Sequence, residues 1–221
     1  MARKRVAILI SGRGSNMVAL IEAAKDQTYP AEIALVISNE PAADGLKRAA
    51  TEGIRTAILD HRPFGKDREA FERALQHELQ ARRIELVCLA GFMRLLTPWF
   101  VRQWEGRLLN IHPALLPAFK GLDTHARALA AGAKQHGATV HFVVPEMDSG
   151  PTIAQAAVPV QSGDTEATLA ARVLEVEHLI YPRALRWVAE GRVKIANGQC
   201  LIDGRPATTT SQANAQTKTP G

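Results

Sequence analysis

Val6-Ala7-Ile8-Leu9-Ile10 runs directly into Ser11-Gly12-Arg13-Gly14-Ser15-Asn16 near the N-terminus. A short, continuous apolar run rich in β-branched residues is typical of a strand that is buried on both faces. The glycine-rich segment predicts a tight turn, and residues 17–25 predict a helix after it. A buried strand that turns sharply into a helix indicates a β-α-β unit, so this stretch points to a parallel α/β sheet.

The same alternation continues along the chain. Further strands are predicted at residues 32–37, 55–59, 86–90, 107–111, 138–144 and 152–160. Helices are predicted at residues 42–52, 67–83, 124–132 and 165–190. We therefore expect an α/β fold with an open, doubly wound, mostly parallel sheet whose crossovers are right-handed.

The C-terminal region has a different pattern. Asn197-Gly198 separates two short strand-like segments, which predicts a β-hairpin over residues 192–202. From Pro206 the chain is mostly Thr, Ser, Gln, Asn and Ala and contains no large apolar residue. We expect one domain over residues 1–205 and a disordered polar tail over residues 206–221.

Composition narrows the class of protein. The chain has 221 residues, 46% of them hydrophobic and 22% charged, which is ordinary for a globular protein. The net charge is +5, but no basic stripe is interleaved with aromatic residues, and this argues against nucleic-acid binding. The chain shows no secretory signal and no apolar run near the roughly 20 residues of a membrane span. We expect a cytoplasmic protein that binds no membrane.

Two polar segments lie at the ends of apolar runs. They are Asn110-Ile111-His112-Pro113 and Asp148-Ser149-Gly150-Pro151. An amide can donate a hydrogen bond to an oxyanion, an imidazole can move a proton, and a carboxylate can stabilise the charged imidazole. These groups are suited to transfer of an acyl group. The chain has no cluster typical of metal ligands, and its two cysteines, Cys88 and Cys200, form no metal pattern.

The other histidines carry less information. His61, His77, His136 and His141 are assigned to ordinary surface or core positions. His125 is intermediate between these ordinary positions and a site residue, since it could line the same cleft as His112.

The glycine-rich loop allows three interpretations. Backbone N–H groups at the start of a helix can bind a phosphate, and Ser15 and Asn16 could add donors. A dinucleotide site is the second, because Gly12-x-Gly14 begins that fingerprint and Glu40 follows the second strand. Met17, however, occupies the position of the third glycine. The third interpretation is a turn that binds nothing.

Four segments together resemble the phosphoribosylglycinamide formyltransferases, a family of folate-dependent enzymes. They are Ser11–Asn16, Ala90-Gly91-Phe92-Met93-Arg94-Leu95-Leu96, Leu109–Pro117 and Asp148–Pro151. The resemblance runs from about residue 5 to residue 203, and the segments occur in the family's order. The Asn-x-His-Pro segment and the later acid are shared by 10-formyltetrahydrofolate-dependent transferases and hydrolases. The glycine-rich loop is the more selective mark, because it resembles the site of the ribonucleotide phosphate.

The resemblance implies that a formyl group passes from 10-formyltetrahydrofolate, a co-substrate, to the amine of glycinamide ribonucleotide in purine biosynthesis, without a metal. It implies a Rossmann-like formyltransferase fold. The implied catalytic residues are Asn110, His112 and Asp148. The implied ribonucleotide contacts are Gly14, Ser15, Asn16 and Glu177. The implied folate contacts are Arg68, Met93, Arg94, Leu95, Leu96 and Asn110.

Some of these roles compete with simpler ones. The side chains of Met93, Leu95 and Leu96 would otherwise be assigned to the core, and Glu177 to a solvated helix face. The chain departs from the family's usual pattern at Arg13, where relatives often carry a smaller polar residue. It also departs at Ala118-Phe119-Lys120, in a loop that varies among relatives.

Three other functions remain open on the sequence. A methionyl-tRNA formyltransferase is expected to add a basic C-terminal domain of about 100 residues. A formyltetrahydrofolate hydrolase is expected to carry an N-terminal regulatory domain before the first strand. A non-catalytic nucleotide-binding module would use the glycine-rich loop alone. We expect a monomer or a weak homodimer.

Overall fold

Strand β1 (Lys4–Ile10) lies at the centre of five neighbouring parallel strands, as its apolar sequence predicts. It pairs with β2 (Ala31–Ser38) on one side and with β4 (Leu86–Leu89) on the other. Strand β3 (Thr56–Ile58) pairs with β2, and β5 (Leu108–His112) pairs with β4. The order is therefore β5-β4-β1-β2-β3.

The computed structural model describes residues 2–211, which form two compact units. The first unit contains the residues up to Asn110 together with 143–145, and the second contains residues 111–142 and those from 146 onward. Two compact units can fold as one domain, so the single domain over residues 1–205 stays a prediction.

Helices cover both faces of the sheet in the first unit. On one face α1 (Ser15–Lys25) contacts α2 (Asp44–Thr51), and both contact β2. On the other face, α3 (Arg68–Ala81) and α4 (Pro98–Gln103) pack in one apolar cluster with alternate residues of β1 and β2. Side chains alternate between the faces of a strand, so β1 is buried from both sides. The predicted doubly wound α/β arrangement is confirmed.

Helix α4 is one element that the sequence pattern does not predict. It has only six residues, too few to show a helical period. Thr97 caps it by accepting a hydrogen bond from the Phe100 N–H at 3.5 Å. The backbone N–H of Thr97 in turn donates to the carboxylate of Glu72, a buried residue of α3, at 2.6 Å. The helix is thus positioned by tertiary hydrogen bonds.

The second unit combines a strand pair with a long helix. Its elements are α5 (Thr124–Ala130), β6 (Gln135–Phe142), β7 (Thr152–Pro159), α6 (Glu166–Ala189), β8 (Val193–Ala196), β9 (Gln199–Ile202), β10 (Arg205–Pro206) and β11 (Thr209–Ser211). Strands β6 and β7 are antiparallel, and α6 packs on both. Strands β8, β9 and β10 form a separate antiparallel sheet.

The C-terminal hairpin is confirmed. Asn197 and Gly198 connect β8 to β9 with φ angles of 50° and 74°. Two consecutive residues with positive φ are the mark of the turn that Asn-Gly favours, and its twist matches the strands beside it.

The C-terminal tail differs in part from the expected disorder over residues 206–221. Pro206 lies in β10, and Thr209–Ser211 pairs in parallel with Gln155–Ala157 of β7. Pairing at a strand edge uses backbone groups and needs no large apolar side chain, so composition alone does not reveal it. The rest of the predicted tail, residues 212–221, lies outside the described residues.

Gly137 provides a test of how closely β6 and β7 approach. A Cβ atom at this position would lie 2.0 Å from the carbonyl oxygen of Ala156, a backbone atom that cannot move without breaking the pairing. We expect Gly137→Ala to lower the free energy of unfolding by about 3 kcal/mol or more. Urea unfolding measures this. Gln135→Ala, at an exposed position of the same strand, should change it by less than about 0.5 kcal/mol. Equal stability of Gly137→Ala and wild type would contradict the close approach.

Candidate active site

The glycine-rich loop leaves the carboxyl end of β1 and enters α1. Gly14 is the N-cap residue of α1 and has φ 68°, in the left-handed region that glycine adopts without strain. A Cβ there would lie 3.0 Å from Met17 Cε, so a larger residue would also crowd the helix. The N-cap glycine has no side chain that could accept from the first-turn N–H groups. The start of α1 is therefore suited to an anion that accepts from those groups.

This loop forms one wall of a cavity of about 300 Å³. All the lining residues belong to the first unit: Ser11, Gly12, Arg13, Gly14, Ser15, Asn16, Ala90, Gly91 and Met93. The structure therefore brings the three predicted ribonucleotide residues of the loop together with Met93, one of the predicted folate residues.

Gly45 of α2 supports the loop and was not predicted from the sequence. Its backbone N–H donates to the Gly12 carbonyl oxygen at 3.1 Å. A Cβ at Gly45 would lie 2.9 Å from that oxygen and 2.5 Å from Ile10 Cδ1. Only glycine allows α2 to approach the loop this closely. A glycine in the first turn of a predicted helix, where it lowers helix stability, was the available signal.

Glu40 does not line this cavity. One carboxylate oxygen lies 3.6 Å from His61 Nδ1, and the other lies 3.6 Å from the Arg62 guanidinium. The acid that supported the dinucleotide interpretation is thus engaged with a neighbouring loop.

The predicted folate residues differ in exposure. The side chains of Met93 and Leu95 are 71% and 62% exposed, so the alternative assignment of these two to the core is wrong. Leu96 does pack against the apolar cluster. The Arg94 guanidinium lies 5.1 Å from the ring centre of Phe71, and Arg68 is an exposed residue at the start of α3.

His112 and Asp148 face each other in the second unit, as the resemblance implies. His112 Nδ1 lies 3.5 Å from Asp148 Oδ2, and both side chains are largely buried. The same carboxylate oxygen accepts a hydrogen bond from the Gly121 N–H at 2.9 Å. On the other side of the ring, His112 Nε2 lies 3.0 Å from the Phe119 carbonyl oxygen. The ring therefore lies between two oxygen atoms.

The two oxygen atoms beside the His112 ring can both act as hydrogen-bond acceptors. A carbonyl oxygen and an ionised carboxylate can only accept hydrogen bonds. Both ring nitrogens satisfy them only when both carry a proton, which is the imidazolium form. The arrangement can therefore present a cationic donor.

His141 is a buried core residue, as predicted, and it also lies beside the same carboxylate. It is 2% exposed, and its Nε2 lies 3.8 Å from Asp148 Oδ1. Burial lowers the pKa of His141, although the nearby carboxylate opposes this effect. The ring is thus kept neutral near pH 7. Its position in a predicted strand, seven residues before Asp148, was the available signal in the sequence.

His125 and His136 form a second pair of rings. Their centres lie 5.2 Å apart in an edge-to-face arrangement. His136 is fully buried, and burial lowers its pKa to about 4, while burial also lowers the pKa of His125. The core assignment of His136 is confirmed. Neither ring adds positive charge near neutral pH.

Asn110 and Glu177 are the remaining predicted site residues. Asn110 is two residues before His112 on β5, so the two side chains project from the same face of the strand. Glu177 is buried within α6 at 6% exposure, which contradicts the alternative of a solvated helix face.

Metal-ligand clusters and membrane-spanning helices are both absent from the described residues. Within residues 2–211, no group of three or more His, Cys, Asp or Glu side chains is arranged to hold a metal ion. No helix in the described part of the chain has the length and hydropathy needed to cross a membrane.

Known proteins match this chain over most of its length. The formyl transferase family model matches residues 4–185. The phosphoribosylglycinamide formyltransferase of Escherichia coli is 47% identical over 90% of this chain and 94% of that protein. A structure of the Coxiella burnetii phosphoribosylglycinamide formyltransferase superposes with a TM-score of 0.88 at 44% identity, covering 95% of this chain and 99% of that one.

A longer relative contains the same unit. The trifunctional purine biosynthetic protein adenosine-3 of Gallus gallus is 50% identical over 86% of this chain, which spans only 19% of that protein's length. The family match, the near full-length identity and the shared fold agree with the four segments quoted above. The chain belongs to the formyl transferase family, among the phosphoribosylglycinamide formyltransferases.

Proposed function

We propose that this protein transfers the formyl group of 10-formyltetrahydrofolate to the amine of glycinamide ribonucleotide, a step of purine biosynthesis. The observation that carries the proposal is the 3.5 Å approach of His112 Nδ1 to Asp148 Oδ2, with Asn110 two residues earlier on β5. Family membership supports the choice of both substrates.

The reaction begins when the neutral amine attacks the formyl carbon. The formyl oxygen gains negative charge and needs hydrogen-bond donors. The Asn110 amide and the His112 imidazolium supply them, each worth roughly 2.7–4 kcal/mol in comparable sites. In the free protein His112 Nε2 faces the Phe119 carbonyl oxygen, and we infer that the formyl oxygen replaces this acceptor during the reaction.

Asp148 acts through His112. Its carboxylate stabilises the imidazolium by charge, and the Gly121 N–H holds the acceptor oxygen in place. His141 is neutral near pH 7 because burial lowers its pKa, so it does not compete as a second cation for the carboxylate.

Collapse of the intermediate requires one proton transfer. The attacking amine loses a proton, and the folate nitrogen gains one as the carbon–nitrogen bond to the donor breaks. The products are the formylated amide and tetrahydrofolate. No covalent enzyme intermediate and no metal is needed in this scheme.

The glycine-rich loop is proposed to bind the ribonucleotide phosphate. The N-terminal N–H groups of α1, with Gly14, Ser15 and Asn16, provide donors for an anion. Glu177 is proposed to contact the glycinamide end. The folate is proposed to contact Asn110 and, in the first unit, Arg68, Met93, Arg94, Leu95 and Leu96. The exposed side chains of Met93 and Leu95 offer apolar surface to an aromatic ligand.

Chain length does not distinguish this function from the alternative functions, but activity assays do. A hydrolase would consume the donor alone, and a binding module would bind ribonucleotide without turnover. A monomer or weak homodimer, and a cytoplasmic location, stay predictions from the sequence.

The role of Asp148 can be tested with a matched pair of variants. We expect Asp148→Asn to lower kcat by about a hundredfold or more, because the imidazolium loses its charged partner. Asp203→Asn is the control. Asp203 also pairs with a cation and also has a left-handed backbone, with φ 51° against 50° for Asp148, but it lies in the turn between β9 and β10. Circular dichroism checks folding. Near wild-type turnover of Asp148→Asn would exclude the proposed role.

The proposed role of the glycine-rich loop in phosphate binding can be tested by isothermal titration calorimetry. Gly14→Val should weaken ribonucleotide binding at least about tenfold and folate binding much less, since a side chain there obstructs the anion site. Gly53→Val imposes the same strain, at φ 72°, where a Cβ would meet nothing within 4 Å. It should leave both affinities near wild type. An equal loss for both ligands in Gly14→Val would indicate general misfolding, and no loss would move the phosphate elsewhere.

Donor consumption distinguishes transferase from hydrolase. We expect tetrahydrofolate release to be slow with the formyl donor alone and to rise at least about a hundredfold with glycinamide ribonucleotide, because the loop positions the amine. Glycinamide without the ribose phosphate should not produce this rise. An equal rate with donor alone would support hydrolysis and refute the proposed transfer.

A further inference from the structure

Ser11 connects two segments at the carboxyl edge of the sheet in the first unit. Its backbone N–H donates to the Gly91 carbonyl oxygen at 3.1 Å. Its hydroxyl accepts a hydrogen bond from the Met93 N–H at 2.8 Å and donates to Asn39 Oδ1 at 2.6 Å. A serine hydroxyl has one proton and two lone pairs, so it can make both contacts at once.

Both connected segments line the same cavity. Ser11 is the first residue of the glycine-rich loop, while Gly91 and Met93 belong to the opposite wall. The chain between β4 and α4 contains no helix or strand, and the Met93 side chain is 71% exposed. Side-chain packing therefore does little to hold Met93, and its main chain depends on Ser11.

The residue behind Ser11 sets the direction of its hydroxyl. Asn39 is 3% exposed, and its Nδ2 lies 3.4 Å from a carboxylate oxygen of Glu40, which can only accept. The amide nitrogen is thus turned toward Glu40, and Oδ1 is left to accept the Ser11 proton. With its proton used in this way, the Ser11 oxygen presents a lone pair to the Met93 N–H.

We propose that Ser11 is a positioning residue for the formyl donor. By holding the main chain of Met93, it sets the position of Arg94, Leu95 and Leu96, and it ties that segment to the loop that binds the ribonucleotide. The proposal rests on the proposed function, because it takes this segment to be part of the folate site. The role assigned to Ser11 is exerted through the Met93 main chain and needs no contact with either substrate.

Hydrogen exchange and kinetics on the full chain test the proposal together. One hydrogen bond of this kind changes an equilibrium by about twofold to tenfold. In Ser11→Ala we expect the Met93 amide to exchange faster, in NMR spectra of the free protein. We also expect the KM for 10-formyltetrahydrofolate to rise about threefold to tenfold, while the affinity for ribonucleotide changes less than twofold.

Two variants serve as controls. Ser11→Thr keeps the hydroxyl and should restore both the slow exchange and the low KM. Ser38→Ala removes a comparable hydroxyl at the end of the neighbouring strand, where Ser38 donates to the Glu40 carbonyl oxygen at 2.8 Å and accepts from the Glu40 N–H at 3.0 Å. It should change neither the Met93 exchange nor the KM for the donor.

Unchanged Met93 exchange or an unchanged donor KM in Ser11→Ala, with an active wild type, would overturn this inference and leave the proposed function standing. Equal effects on both substrates in Ser11→Ala and Ser38→Ala would mean a merely structural role and would also overturn it. Absence of ribonucleotide-dependent turnover in the wild-type protein would refute the proposed function and this inference with it.

Discussion

Burial of β1 on both faces is the constraint on which the first unit depends. Its residues 6–10 are fully buried, and parallel partners on both sides use its backbone hydrogen bonds. Polar chemistry is therefore excluded along the strand and first becomes possible at its carboxyl end. Ser11 and the glycine-rich loop follow at that point, and the cavity of about 300 Å³ forms around them.

The buried pair in the second unit obeys a different constraint. Taking a carboxylate and an imidazolium out of water is costly unless every polar atom finds a partner. Asp148 gains the Gly121 N–H, and His112 gains the Phe119 carbonyl oxygen. These partners belong to a loop whose residue Phe119 has φ 54°, an unfavourable conformation for an aromatic residue. The backbone of this loop thus gives each side chain of the pair a hydrogen-bond partner.

Local patterns were enough to predict much of the architecture. The apolar run at residues 6–10 and the Asn197-Gly198 turn each act through near neighbours, so the sequence contains their whole cause. Helix α4 and strand β11 were not predictable in this way. The first depends on the distant Glu72, and the second uses backbone pairing with β7. Both causes are tertiary.

The same distinction applies to the candidate site. The motifs identified Asn110, His112 and Asp148 through a resemblance, whereas the separation of the last two by 36 positions follows no local rule. His141 was missed because a single histidine in an apolar strand most often has only a packing role. Gly45 and Ser11 were missed because their importance lies in close approach and in a hydrogen bond to a remote backbone, which a single sequence does not display.

The segment between β4 and α4 shows how an irregular stretch gains a fixed shape. Ser11 holds Met93 near its start, and Glu72 accepts hydrogen bonds from the Thr97 N–H and hydroxyl at its end. Burial raises the pKa of Glu72, but these two donors oppose that effect and favour its charged form. The segment is therefore fixed at both ends by polar groups, one from Ser11, which directly follows β1, and one from Glu72 of α3. The apolar core fixes the positions of those elements. The geometry of the proposed folate site therefore depends on the stability of the sheet.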